Sequence, residues 1–222
     1  SAPTEQVARL VEGLLESLER SYVNLKPQTG FHSGQPQQVT ETLEVSQGKL
    51  AMGFVTDITL RDDRFAAMQV CNTVFGSGMT GKLFTVIREK MSLCYDIGSG
   101  YHGSKGIMTV SAGIDWDKEA LVRQEILHQL DKCAQGEITQ QELQSAKQAI
   151  ITQLQATHDS PGAIESYYGT AALSGLAMSP EAYLLAVEQV TVEQVAQAAR
   201  TLKLHTSYFL IQTINLHFLL LK

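Results

Sequence analysis

Apolar residues recur along the chain with two alternating periods, and the changes of period mark the elements. Val7, Leu10, Val11, Leu14 and Leu18 repeat every three or four positions, which predicts an amphipathic helix that Thr4 can cap. The stretch 26–38, with two prolines, two glycines and four glutamines, reads as a loop leading into a sheet. Period two then takes over. Val39, Glu41, Leu43 and Val45 line one face of an extended run, and Leu50, Met52, Phe54 and Val55 belong to a second. Gly48 is the expected turn, so the two strands are predicted to form a hairpin or neighbouring pair.

Helical spacing returns with Phe65, Met68, Asn72 and Phe75, where Asp62 and Asp63 suit the positive end of the helix dipole and Gly76 supplies the stop. A short helix over 82–90 would face Leu83, Val86 and Ile87 inward, and strands are expected over 93–100 and 107–114. Val122, Ile126, Leu130 and Cys133 form the next helical stripe, closed by Gly136. Thr139 to Glu142 and Thr191 to Gln194 have the capping-box form, and Ser160-Pro161 and Ser179-Pro180 place proline at a helix start. A last strand runs over 204–212, followed by an apolar tail over 214–221 that is too short to span a bilayer. Strands thus come in pairs, separated and followed by groups of helices. That order predicts an α+β domain with one mixed, largely antiparallel sheet covered by helices.

Composition narrows the function. With 17 Lys plus Arg against 23 Asp plus Glu, the formal charge is −6, and no basic face for nucleic acid is visible. The 44% hydrophobic and 18% charged residues are those of an ordinary globular protein, and a chain of 222 residues is long enough to bury a core without disulfides or a structural metal. Cys71, Cys94 and Cys133 form no metal knuckle or disulfide framework, and read as free thiols of a reducing, cytoplasmic compartment. No membrane helix and no signal peptide is recognised.

Several motifs invite chemistry. Gly76-Ser77-Gly78-Met79-Thr80-Gly81 fits G-x-G-x-x-G, and with Lys82 it approaches G-x-x-x-x-G-K, but a helix precedes it and Leu83 stands where magnesium needs Ser or Thr. A helix-to-helix connection and a nucleotide-binding loop are both open readings. The six histidines are never three or four residues apart, so neither H-E-x-x-H nor H-x-x-E-H exists and no zinc-peptidase helix can be built from this chain. No serine lies in G-x-S-x-G, and Cys94, inside a predicted strand, reads as core. The segment 81–99 carries more. Arg88 is either a surface cation paired with Glu89 or Asp96, or the guanidinium of a recognition pair whose second member is the phenol of Tyr95, otherwise a residue at the core edge.

At Lys82-Leu83-Phe84, Arg88-Glu89-Lys90 and Leu93-Cys94-Tyr95 the sequence resembles the half-domain without zinc of the insulinase-type, or pitrilysin-like, metallopeptidases. Ala112-Gly113-Ile114-Asp115 and the closing run 204–210 extend the likeness over most of 39–210. The resemblance implies that residues 1–222 form a single half-domain of a longer two-half protein. It implies no metal in this chain and a zinc ion in the partner half, which carries H-x-x-E-H. Arg88 and Tyr95 would reach across to that half, bind the peptide backbone and stabilise the tetrahedral intermediate. Alone, the chain is expected to be inert. The alternative is a catalytically silent assembly or peptide-binding subunit.

Overall fold

The computed structural model describes residues 3–21 and 34–212. In chain order the elements are α1 (Thr4–Glu16), β1 (Gln37–Leu43), β2 (Gly48–Val55), α2 (Phe65–Phe75), a π-helix (Leu83–Lys90), β3 (Cys94–His102) and β4 (Ile107–Ile114). A short 3-10 turn (Trp116–Lys118) then leads into α3 (Glu119–Gln135), α4 (Gln140–Thr157), α5 (Pro161–Ser174), α6 (Pro180–Gln189), α7 (Val192–Thr201) and β5 (Lys203–Gln212).

The strands form one sheet in the order β1-β5-β2-β4-β3, antiparallel at every step but β1 to β5. This is the mixed, largely antiparallel sheet expected from the pattern. Its period-two strands bury one face: Leu50, Met52 and Phe54 of β2 and Met108, Val110 and Ala112 of β4 are enclosed, while Lys49, Ala51, Thr109 and Ser111 face water. Against the buried face lie α2, in which every residue but Gln69 is buried, and the apolar stripes of α3 and α7.

The hairpin expected between β1 and β2 does not form, because β5 lies between them. The compositions account for this. β2 and β5 bring apolar side chains to the core, Leu50 standing opposite Phe209, whereas every residue of β1, QQVTETL, is exposed. A strand that polar is stable only at a sheet edge, so the chain places the apolar β5 inside it. Gly48 is accordingly not a turn but the first residue of β2. A Cβ there would stand 2.9 Å from the Ile114 carbonyl oxygen.

Local signals are followed closely in the second half of the chain. At α4 the Glu142 N–H donates to Thr139 Oγ1 at 3.1 Å while the Thr139 N–H donates to Glu142 Oε2 at 2.7 Å, and Thr191 with Gln194 repeats the box at α7. Ser160 and Ser179 cap α5 and α6 ahead of a proline, and Gly136, at φ 79°, ends α3.

At α1 the cap differs from expectation. The Pro3 carbonyl already accepts from the N–H groups of Gln6 and Val7, so Thr4 is the first helical residue and makes no side-chain cap bond. The predicted stripe exists, but Val7, Leu10, Val11, Leu14, Leu15 and Leu18 are all exposed. The predicted loop lies outside the described residues over 26–33, as does the apolar tail after Gln212. Among the described residues no helix is long and apolar enough to cross a membrane.

Candidate functional site

The site grows from the connection between α2 and β3. Gly76 ends α2, and the loop 76–82 folds back so tightly that a Cβ on Gly76 would fall 2.5 Å from Leu83 Cδ1 and 2.8 Å from Ser99 Oγ. Gly76 and Gly81 therefore serve close packing, while Gly78, at φ 100° with open space around it, serves the turn. Lys82 is buried, and its Nζ donates to Glu142 Oε1 at 2.8 Å. The nucleotide-loop reading fails on both counts: a phosphate cradle needs a preceding strand and a free lysine.

The following helix is expected to be a plain short one. It is instead wound as a π-helix, with the Met91 N–H donating to the Val86 carbonyl five residues back. Leu83 and Ile87 enter the core as predicted, Val86 is half-buried, and Arg88, Glu89 and Lys90 remain exposed. Ser92, at φ 52°, takes the left-handed conformation and turns the chain into β3. The Arg88 guanidinium forms no ion pair with Glu89 or Asp96; it lies 4.6 Å above the Phe84 ring in an exposed cation–π contact. Asp96 pairs with Lys49 at 3.4 Å.

Tyr95 owes its position to a β-bulge. Cys94 stands opposite Ile114 and Asp96 opposite the adjacent Gly113, so Tyr95 is the extra residue without a partner. Strict alternation would send Cys94 and Ile97 to opposite faces. With the bulge both pack against the core, and Tyr95 and Asp96 both point outward. Tyr95 is 59% exposed, and is therefore not a residue of the core edge. Its hydroxyl donates to Asp115 Oδ1 at 2.5 Å, and Lys118 Nζ meets the other carboxylate oxygen at 2.6 Å. The Asp115 carboxylate raises the Tyr95 pKa above its ordinary value, and the Lys118 ammonium, followed by the Tyr95 hydroxyl, lowers that of Asp115.

Arg88, Tyr95, Asp115 and Lys118 line one open groove of about 380 Å³, floored by Leu93 and Cys94. The structure thus brings together the two residues singled out in the sequence. It adds Asp115 and Lys118, whose one local signal is an acidic residue just beyond a strand, three positions before a lysine. Cys94 is a poor nucleophile, since burial foremost and Asp96 next push its thiol up to about 11. Among the described residues no group of three or more His, Cys, Asp or Glu side chains could hold a metal ion. To this groove Arg88 brings a forked donor, and Tyr95 brings a hydroxyl that stays protonated at neutral pH.

Known proteins share both sequence and fold. A family model described as the peptidase M16 inactive domain matches residues 2–150. The Bacillus subtilis protein named "Probable inactive metalloprotease YmfF" is 29% identical over 207 residues, covering 93% of this chain and 49% of that protein. A Rickettsia bellii protein named as an uncharacterized zinc protease is 27% identical, with coverages of 88% and 47%. The chain spans about half the length of these relatives. A conserved protein from Enterococcus faecalis superposes with a TM-score of 0.85 at 25% identity, over 96% of this chain and 50% of that one. The M16 inactive domain from Pseudomonas fluorescens gives 0.80 at 18% identity, over 96% and 52%. Matched by the family model over more than half its length, and sharing a five-stranded mixed sheet covered by helices with solved structures, the chain belongs to the family of peptidase M16 inactive domains.

Proposed function

We propose that residues 1–222 form the non-zinc half of a two-half metallopeptidase and help bind and position peptide for hydrolysis at a zinc ion held by the other half. The observation that carries this reading is the shared groove of Arg88 and Tyr95. A peptide carbonyl placed there meets the Arg88 guanidinium, and the Tyr95 hydroxyl can donate to the oxygen as charge develops on it. Zinc, supplied by the other half, would polarise that carbonyl and activate water.

The uncovered stripe of α1 supports a second half as partner. Among the described residues five large apolar side chains of α1, and Leu18 just beyond it, face water, and covering them returns about 25 cal/mol for each Å² of apolar surface removed from it. The free thiols of Cys71, Cys94 and Cys133 support a reducing, cytoplasmic location.

The test begins with the coding sequence upstream of Ser1. An in-frame H-x-x-E-H helix there makes this chain the assisting half, and the two-half protein is then assayed on a quenched peptide. Tyr95→Phe and Arg88→Ala are expected to lower turnover by on the order of tenfold or more each, as loss of an oxyanion donor does. Unchanged turnover removes both residues from the mechanism. The name of the Bacillus subtilis relative favours one other reading, a silent peptide-binding or assembly subunit. That reading predicts an upstream half without the motif and peptide binding without hydrolysis.

A further inference from the structure

A phenol has one proton, and here the structure shows where it is spent. The Tyr95 hydroxyl donates to Asp115 Oδ1, so toward the rest of the groove its oxygen presents lone pairs. An oxyanion needs the opposite, a donor. We propose that Asp115 is a positioning residue that holds the hydroxyl proton of Tyr95 in the empty groove and yields it when a substrate carbonyl oxygen becomes negative. The inference rests on the reading of Tyr95 as an oxyanion donor.

The geometry supports a restraint of moderate strength. The bulge at Tyr95 sets its ring beside Asp115, the first residue beyond β4, and Lys118 on the following 3-10 turn fixes the carboxylate from its far side. A carboxylate accepts more strongly than a neutral carbonyl, so in the ground state Asp115 outcompetes a peptide oxygen. The order reverses as full charge forms on the substrate, because Lys118 already neutralises part of the Asp115 charge and the oxyanion also faces Arg88. Of the other ionisable groups of the groove, the Cys94 thiol is pushed up to about 11 and stays protonated, and Glu89 forms no ion pair with Arg88 or Lys118 among the described residues. Tyr95 would therefore donate weakly to bound substrate and strongly to the transition state, and the bond it gives up to Asp115 on the way is a cost that the restraint adds to the barrier.

Two measurements decide it. In this chain, carbon-13 labelling of the tyrosine rings follows the Tyr95 titration by NMR. The half-titration point is expected above that of free tyrosine and should move back toward about 10 in Asp115→Asn. In the two-half protein, Asp115→Asn replaces a charged acceptor with a neutral one and is expected to raise kcat about fivefold with KM unchanged. The rise should vanish in a Tyr95→Phe background and persist when Lys118→Met is added. An unmoved titration, a kcat that falls with Asp115→Asn, or a rise abolished by Lys118→Met overturns the proposal. If Tyr95→Phe lowers turnover but Asp115→Asn changes nothing, only the restraint falls. If Tyr95→Phe itself changes nothing, the oxyanion reading fails and takes the restraint with it.

Discussion

Lys82→Met tests whether the glycine-rich loop is structural. The native ammonium is 2.8 Å from Glu142 Oε1, with side-chain exposures of 9% for Lys82 and 26% for Glu142. Methionine keeps the length of the stem and removes the charge, leaving a half-enclosed carboxylate without its cation. One-sided loss of a fully buried pair costs about 3–5 kcal/mol, but water reaches Glu142 and the Thr139 N–H and hydroxyl still bond it, so about 2 kcal/mol is expected. For a chain of this size that is a fall in Tm of about 4–8 °C. The loss must also depend on pH. Burial of Glu142 pushes its pKa up, yet bonds from Lys82 and Thr139 outweigh this and hold it below the ordinary 4.5. A depressed carboxyl stabilises above its unfolded pKa, and that stability fades as pH falls through the lower folded value. The gap between wild type and variant should thus be widest at neutral pH and close in acid. Urea unfolding followed by circular dichroism at pH 7 and about pH 3 measures both, with m expected unchanged. A loss under about 0.5 kcal/mol at pH 7, or one equal at both pH values, would refute the structural role. So would ATP binding that wild type shows and the variant lacks.

Two further outcomes are expected. Gly76→Ala forces a methyl into space held by Leu83 and Ser99 and should destabilise by about 1–3 kcal/mol in the same urea assay, whereas wild-type stability would mean that the loop has room. Leu10→Glu with Leu14→Glu should leave the Tm of this chain within about 2 °C, because neither residue is buried, yet weaken its affinity for the zinc half at least about tenfold by calorimetry. A large fall in Tm, or undiminished affinity, would show that α1 is not the face left for a partner.

Much of this domain could be read along the chain, and the reason is range. Capping boxes at Thr139 and Thr191, serine–proline starts at 160 and 179, the stop at Gly136 and the stripe of α3 are decided by residues within about one or two turns of each other. Alternation located β2 and β4 for the same reason. The segment 81–99 pointed to Arg88 and Tyr95 through a spacing and a family resemblance, and the structure places the two on one groove.

What lay beyond the sequence depended on residues far apart in it. Whether β1 pairs with β2 or with β5 is a competition across more than 150 residues, won by the apolar strand for the sheet interior. The bulge at Tyr95 is invisible in composition, because it arises from how β3 meets β4, and it alone turns both Tyr95 and Asp96 outward. Lys82 met Glu142 from 60 positions away and so lost its resemblance to a phosphate-binding lysine. Asp115 gained its place only when a strand end came beside Tyr95, 20 residues earlier. Local periodicity thus determined the elements, and a spacing with a family resemblance marked the two candidate residues, while the hydrogen-bond partners that decide how those residues can act came from tertiary packing, where side chains distant in sequence share one proton or one charge.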